Sequence, residues 1–204
     1  MKARLTVGKI ARIAFAGALA LVMGCGLAGC ANDEQLIKES ITSALDTFKA
    51  PTKEALMSYE QETGETFGKE FDKYGIDGYE FLEHCFARFD YEVGKVEVQG
   101  DKATVELTLT NVNFNDAIKA AQDELLSDDN AEQLAALYAE GGEKAIVQKY
   151  VETFYAKMDG ITETASTPAT MTLSKKDGSW EVDDASLEGV ISAAYGGADF
   201  SDVS

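Results

Sequence analysis

The sequence predicts an α+β domain, with N-terminal helices packed on one face of a curved antiparallel sheet. Hydrophobic residues recur at helical spacing through the segment that follows residue 32. Two later segments alternate apolar and polar residues around short turns, which is typical of half-buried antiparallel hairpins. A helical insert separates these two hairpins. The order of helices, hairpin, helices, hairpin and helix favours separate helical and sheet layers.

The N-terminal helices begin at residue 33. Over 33–49 the apolar residues fall on one helical face, Asp33 can cap the start, and Pro51 ends the helix. A second helix is predicted over 52–62 and a short one over 79–88. We expect the apolar faces of these helices to cover the sheet.

The first hairpin covers residues 91–112. Its second strand, 103–112, alternates strictly between apolar and polar residues. Its first strand, 91–99, slips at Gly94-Lys95, which indicates a β-bulge. The turn 99–102 joins the two strands.

The helical insert is predicted over 115–158, with a break at Gly141-Gly142. A second hairpin follows, in which Asp177-Gly178 turns the chain between strands 169–175 and 179–183. The two hairpins should form one sheet.

A last helix, 185–194, completes a single domain that spans residues 33–195. The acidic tail, 196–204, is rich in small residues and is expected to fray from Gly196 onward.

Four stretches of the hairpins resemble a known group of proteins. They are Asp90–Val98, Gly100–Val105, Thr110–Asn113 and Leu173–Val182. They are similar to uncharacterised lipoproteins of Gram-positive bacteria that have a cystatin-like, nuclear-transport-factor-2-like α+β domain. The resemblance implies a curved sheet wrapped on helices, often around a cavity. It implies no activity.

The N-terminus is typical of a bacterial secretory signal. Four basic residues precede an uncharged apolar run, 13–29, which ends in Leu27-Ala28-Gly29-Cys30. These last four residues resemble the lipobox of bacterial lipoproteins. The resemblance implies that Leu27, Ala28 and Gly29 are recognised by the signal peptidase, that Cys30 receives a diacylglyceryl group, and that 1–29 is removed. Residues 30–32 would then be the lipidated cysteine and a short tether.

Other interpretations of the N-terminus stay open. Residues 13–31 are long and apolar enough for an uncleaved membrane anchor, and a plain secretory signal is another alternative. Cys25 is a second candidate for lipidation, although bulky Met23 suits a small-residue site less well than Ala28 does. In each case the positive flank stays inside and the domain is exported to the extracytoplasmic face of the cell membrane.

The exported part of the chain is strongly acidic, which limits its possible partners. The chain has 18 basic and 36 acidic residues, and residues 1–29 contain four of the basic ones and no acidic ones. The remainder therefore has 14 basic and 36 acidic residues, a net charge of −22. Nucleic acid is not an expected partner, because phosphate binding needs a basic surface. The membrane partner is lipid, reached through the acyl chains at about 0.8 kcal/mol per buried methylene.

The residue types do not single out a catalytic or metal site. His84 and Cys85 are neighbours, and side chains that are adjacent on a helix do not face each other. One histidine and one remaining cysteine are too few for a transition-metal site. We therefore predict no catalytic residues, no metal and no cofactor.

Aromatic residues are concentrated between positions 67 and 91. They are either core or the wall of an apolar pocket with tyrosine hydroxyls as its polar groups. The candidate pocket residues are Phe67, Phe71, Tyr74, Tyr79, Phe86 and Tyr91.

These observations together favour a membrane-anchored extracytoplasmic lipoprotein that acts as a binding or interaction module without catalysis. Its partner would be an unknown protein or a small apolar ligand. The alternative is a small-molecule-binding protein or a hydrolase- or isomerase-type enzyme that uses a cone-shaped pocket. A filled core favours the first hypothesis, and a deep cavity with converging carboxylates, or with an acid beside a tyrosine, favours the second.

Overall fold

The computed structural model describes residues 33–49, 51–63, 69–72 and 74–199. Within these ranges the helices are α1 (Asp33–Asp46), α2 (Lys53–Thr63), α3 (Lys69–Asp72), α4 (Gly78–Phe86), α5 (Phe114–Leu125), α6 (Ala131–Gly160) and α7 (Asp184–Ala194). The strands are β1 (Asp90–Gln99), β2 (Lys102–Asn111), β3 (Ala165–Lys176) and β4 (Ser179–Val182).

The four strands form one antiparallel sheet in the order β1-β2-β3-β4, which does not close into a barrel. The helices pack on one face of this sheet, so the predicted α+β class is confirmed. The register of β1 on β2 shifts between Val93 and Val96, where the bulge was predicted. The bulge keeps the valines on both sides of it on the core face.

The alternation in β2 sets which face is buried. Val105 and Leu109 are fully buried, and so are Leu173 and Trp180 on the neighbouring strands. Val182, the last residue of the short strand β4, is only half-buried.

Strand β3 begins at Ala165, four residues before the predicted start. Its first residues lack apolar alternation, yet they pair with β2 as far as Asn111. Strand β4 reaches only Leu173, so Pro168 lies where β3 has a strand on one side only. A proline is tolerated at such an edge, because the missing N–H need not join a second ladder.

Helix α1 begins at Asp33, as predicted, but it ends at Asp46 and not at residue 49. Asp33 is the first helical residue and is only 3% exposed. Its carboxylate accepts a hydrogen bond from the ammonium of Lys175 at 2.9 Å. The start of α1 is thereby fixed to β3.

Helix α6 bends at the predicted break. Gly142 has φ 61° and ψ −149° inside an otherwise helical segment. An L-residue with a side chain rarely adopts this conformation, so the glycine permits a kink that other residues would resist.

The chain beyond α7 is packed as far as the structure describes it. Ala198 is fully buried, and its carbonyl oxygen accepts a hydrogen bond from Ser192 at 2.8 Å. The prediction that fraying starts at Gly196 is wrong for this stretch, because small residues here fit closely against the body of the domain.

Aromatic rings form a continuous series through the core. Adjacent rings have centroids 4.8–5.8 Å apart. In order, the series is Phe48, Phe86, Tyr195, Phe114, Phe154, Phe81 and Phe71. It connects the segment just after α1 to α3, and its members are at most 1% exposed.

Candidate functional site

A surface pocket of about 460 Å³ lies between the turn before α4 and the middle of α6. Its lining residues are Gly75, Ile76, Asp77, Glu80, Leu137, Ala145, Gln148, Lys149, Val151, Glu152 and Tyr155. It combines apolar walls with a few polar groups, as ligand pockets commonly do.

The kink in α6 shapes this pocket. Leu137 lies before Gly142 and Ala145 lies after it, and both line the same depression. Gln148, also on α6, donates a hydrogen bond across the pocket to the carbonyl oxygen of Tyr74 at 2.9 Å. This bond connects α6 to the turn before α4.

Carboxylates outnumber ammonium groups in the lining of the pocket. Its lining side chains carry three carboxylates and one ammonium, that of Lys149. This ammonium is 3.0 Å from a carboxylate oxygen of Glu152. Asp77 caps α4 by accepting from the backbone N–H of Tyr79, and a hydrogen bond from Lys53 lowers the pKa of its carboxyl group. Asp77 therefore stays ionised. The ammonium groups of Lys53 and Lys144 also lie beside the lining, at Asp77 and Gly75.

Tyr155 supplies an unsatisfied polar atom at this site. Its hydroxyl is buried and has no hydrogen-bond partner within the described part of the chain. Burial, with the nearby carboxylates, raises the pKa of this phenol, so it stays protonated. The ring stacks on His84 with centroids 4.1 Å apart, which fixes its orientation.

Two of the predicted pocket aromatics are core residues. Phe71 and Phe86 belong to the buried aromatic series, where Phe71 contacts Phe81 and Phe86 contacts Phe48 and Tyr195. Phe67 lies outside the described residues. None of the other five predicted aromatics lines the pocket described above.

The tyrosines of that set connect helices to the rest of the domain. Tyr79 donates to Glu60 at 2.5 Å, and Tyr91 donates to Asp46 at 2.6 Å. The Glu60 carboxylate raises the pKa of Tyr79 to about 12. Burial and Asp46 raise the pKa of Tyr91. Tyr74 is half-buried, and its backbone carbonyl borders the pocket.

His84 and Cys85 do not form a nucleophile–base pair. Cys85 is fully buried, and this burial raises the pKa of its thiol well above the ordinary value. His84 is half-buried, with Nδ1 2.8 Å from an oxygen of Asp159. Arg88 also contacts the end of α6, where it donates to the carbonyl oxygens of Met158 and Asp159.

Three further observations bound the site. A second depression, about 520 Å³, is lined by side chains of α1 alone and is a furrow on its outer surface. No cluster of three or more potential metal ligands is found among the described residues. The helices in the described ranges are all too short or too polar to cross a bilayer.

The residues Leu27, Ala28, Gly29 and Cys30 lie outside the described residues, as does the rest of the N-terminal segment. The structure therefore leaves the lipidation site as a sequence prediction.

The pocket residues on α6 were missed from the sequence, although a signal was present. Gln148, Glu152 and Tyr155 recur at helical spacing, so they share one face beside the predicted break. This polar stripe beside the glycine pair is the local signal for the α6 side of the pocket.

Comparison with family models, with curated proteins and with solved structures gives no match to this chain. The resemblance to the lipoprotein group stays a prediction.

Proposed function

We propose that this protein is a lipid-anchored extracytoplasmic lipoprotein whose domain binds a small ligand or a partner protein. The observation that carries the proposal is the sequence Leu27-Ala28-Gly29-Cys30 at the end of an uncharged apolar run. A strongly acidic domain does not adhere to anionic lipid by itself, so acyl chains on Cys30 supply the attachment.

The binding role is supported by the pocket between α4 and α6. Apolar side chains such as Ile76 and Leu137 form part of its wall, and carboxylates lie beside them. A small amphipathic molecule with a cationic group matches this combination. Tyr155 belongs to the lining as well, and its buried hydroxyl has no hydrogen-bond partner within the described part of the chain.

The tyrosine–carboxylate pairs favour binding over acid–base catalysis. A catalytic tyrosine base needs a pKa near the working pH. The pKa values of Tyr79, Tyr91 and Tyr155 are instead raised, so the three phenols stay protonated. Tyr79 and Tyr91 donate hydrogen bonds to carboxylates.

The anchor is tested by mass spectrometry of the mature protein. Wild type should begin at Cys30 and carry an acyl mass, and Cys30→Ala should remain uncut and unmodified. Cys25→Ala is the matched control and should be processed normally. An acyl mass that persists in Cys30→Ala and disappears in Cys25→Ala would show that Cys25 is the lipidated residue.

The pocket is tested by thermal shift on the soluble domain, residues 31–204, with alkylammonium and alkyl sulfate probes of equal chain length. Only the ammonium series should raise the melting temperature. Glu80→Gln should reduce that shift, whereas Glu132→Gln, an exposed carboxylate outside the pocket lining, should not. Equal responses to both probe series, or to both variants, would refute a specific cation pocket.

A further inference from the structure

The start of α1 lies at one particular end of the sheet. Asp33 contacts Lys175, which is adjacent to the turn Asp177-Gly178. Lys175 in turn donates its backbone N–H to the carbonyl oxygen of Asp101, in the other hairpin turn. The N-terminus of α1 and both hairpin turns therefore share one end of the domain, which we call the turn end.

The lipidated cysteine of the proposed lipoprotein must lie close to this end. Two residues, Ala31 and Asn32, separate Cys30 from Asp33. Three fully extended residue steps span at most about 11 Å. The Asp33–Lys175 contact prevents the first turn of α1 from peeling away to lengthen the tether.

Helix α1 then runs away from the turn end along the sheet. Near the C-terminus of α1, the hydroxyl of Tyr91 donates to the carboxylate of Asp46. The Lys49 ammonium is 2.7 Å from a carboxylate oxygen of Asp90, at the opposite end of the strands. The strand registers place Thr110 and Ser166 beside Asp90, at the end of the strands opposite the turn end, which we call the far end. Eight residues separate Lys102 from Thr110, which is about 27 Å of strand.

Charged side chains of both signs lie at the turn end. Three lysines beside it are paired with carboxylates, namely Lys102 with Asp183, Lys175 with Asp33, and Lys176 with Glu181. Glu34, Asp101 and Asp177 are further exposed carboxylates at this end. Charge therefore does not select this end for contact with anionic headgroups, and the orientation follows from the short tether.

We propose that the turn end of the sheet faces the bilayer and that the far end, with Asp90, Thr110 and Ser166, points away from it. This proposal rests on lipidation at Cys30. The occupant of the turn-end surface is the headgroup layer of the membrane in which the acyl chains are inserted.

The test is energy transfer from single introduced cysteines in the full lipidated protein. Asp101→Cys reports the turn end and Ser166→Cys the far end, and both side chains are exposed. The protein is reconstituted in vesicles of phosphatidylethanolamine and phosphatidylglycerol that contain an acceptor-labelled lipid. A membrane-impermeant maleimide carries the donor. Cys85 is buried and should not react with the maleimide. Labelling of protein without an introduced cysteine is the control for this.

Transfer from Asp101→Cys should exceed that from Ser166→Cys by about twofold or more, given strand ends about 27 Å apart. A flexible Gly/Ser insert of about 12 residues between Asn32 and Asp33 would reach about 19 Å on average. It should remove most of the difference, because the short tether causes the orientation.

Equal or reversed transfer in protein whose acyl mass has been verified would overturn the orientation while leaving the anchor intact. A missing acyl mass on Cys30 would instead refute the anchor and, with it, the orientation.

Discussion

Single polar side chains connect elements that are distant in sequence, and Asn111 is the clearest case. It is 1% exposed at the end of β2. Its amide donates to the carbonyl oxygens of Cys85 and Ala194, and its own carbonyl accepts from the N–H of Val112. One side chain therefore satisfies backbone groups near the ends of α4 and α7 that burial would otherwise leave unpaired.

Asn111→Ala should lower the free energy of unfolding by about 3 kcal/mol, because it leaves buried backbone groups without partners. The control is Asn113→Ala, two residues on, which removes only the N-cap of α5 and should cost about 1 kcal/mol. Urea denaturation of both variants measures the two losses. Equal losses would mean that the buried network adds nothing beyond an ordinary cap.

Tyr79 offers a second test at this scale. Its pKa is raised to about 12 by the Glu60 carboxylate, so the folded state holds the proton more tightly than the unfolded chain, whose tyrosines titrate near 10. The stabilisation is fully present below pH 10 and is lost as the pH rises towards 12. Glu60→Gln should lower the pKa of Tyr79, as followed by NMR of the ring, with Tyr79→Phe assigning the signal. Titration of Tyr79 near 10 in the wild type would contradict the hydrogen bond.

Among the elements, α6 contributes most to the candidate site, because its kink produces the concave wall. The kink depends on Gly142, whose backbone conformation is nearly restricted to glycine. Nothing lies within 4 Å of a Cβ placed on this residue, so a substitution meets conformational strain and no steric clash.

Gly142→Ala should therefore destabilise the domain by about 1–3 kcal/mol or straighten α6, and it should weaken binding in the pocket. The matched control is Gly189→Ala in α7, which is exposed, has open space around it, and should stabilise by about 0.5–1 kcal/mol. Thermal unfolding gives both values. A neutral Gly142→Ala with unchanged pocket binding would show that the kink does not need a glycine.

The elements that the sequence predicted well are those with a strong local pattern. The alternation in 103–109, the slip at Gly94-Lys95 and the turn at Asp177-Gly178 each follow from the two-residue period of a strand or from turn chemistry. The pocket could not be predicted in this way. It depends on how α6 lies against the turn before α4, and residues 75–80 and 137–155 are not linked by any local pattern.

The aromatic cluster also shows that a local sequence pattern does not determine tertiary packing. Phe71 and Phe86 are close in sequence, yet they contact different partners within the aromatic series. Local density of aromatics indicated that these residues pack together, but it did not reveal whether they enclose a space or fill one.

At the scale of the whole molecule, the dominant property is unbalanced charge. Without residues 1–29 the chain carries 36 acidic and 14 basic residues. The ion pairs are mostly exposed, as in Lys53 with Asp77 and Lys119 with Asp123, and exposed pairs stabilise proteins little. We therefore expect repulsion among the excess carboxylates to outweigh the attraction within the pairs and to destabilise the compact state.

Salt should consequently stabilise this domain. Between 0.01 and 0.15 M NaCl the Debye length falls from about 30 to about 8 Å, which screens long-range repulsion more than the contacts within ion pairs. The melting temperature at pH 7 should rise across this range and then level off. Potassium chloride should give the same curve, because screening depends on ionic strength and not on the cation. A melting temperature that falls with salt would mean that the ion pairs, including Asp33 with Lys175 at the start of α1, stabilise the fold more than the net charge destabilises it.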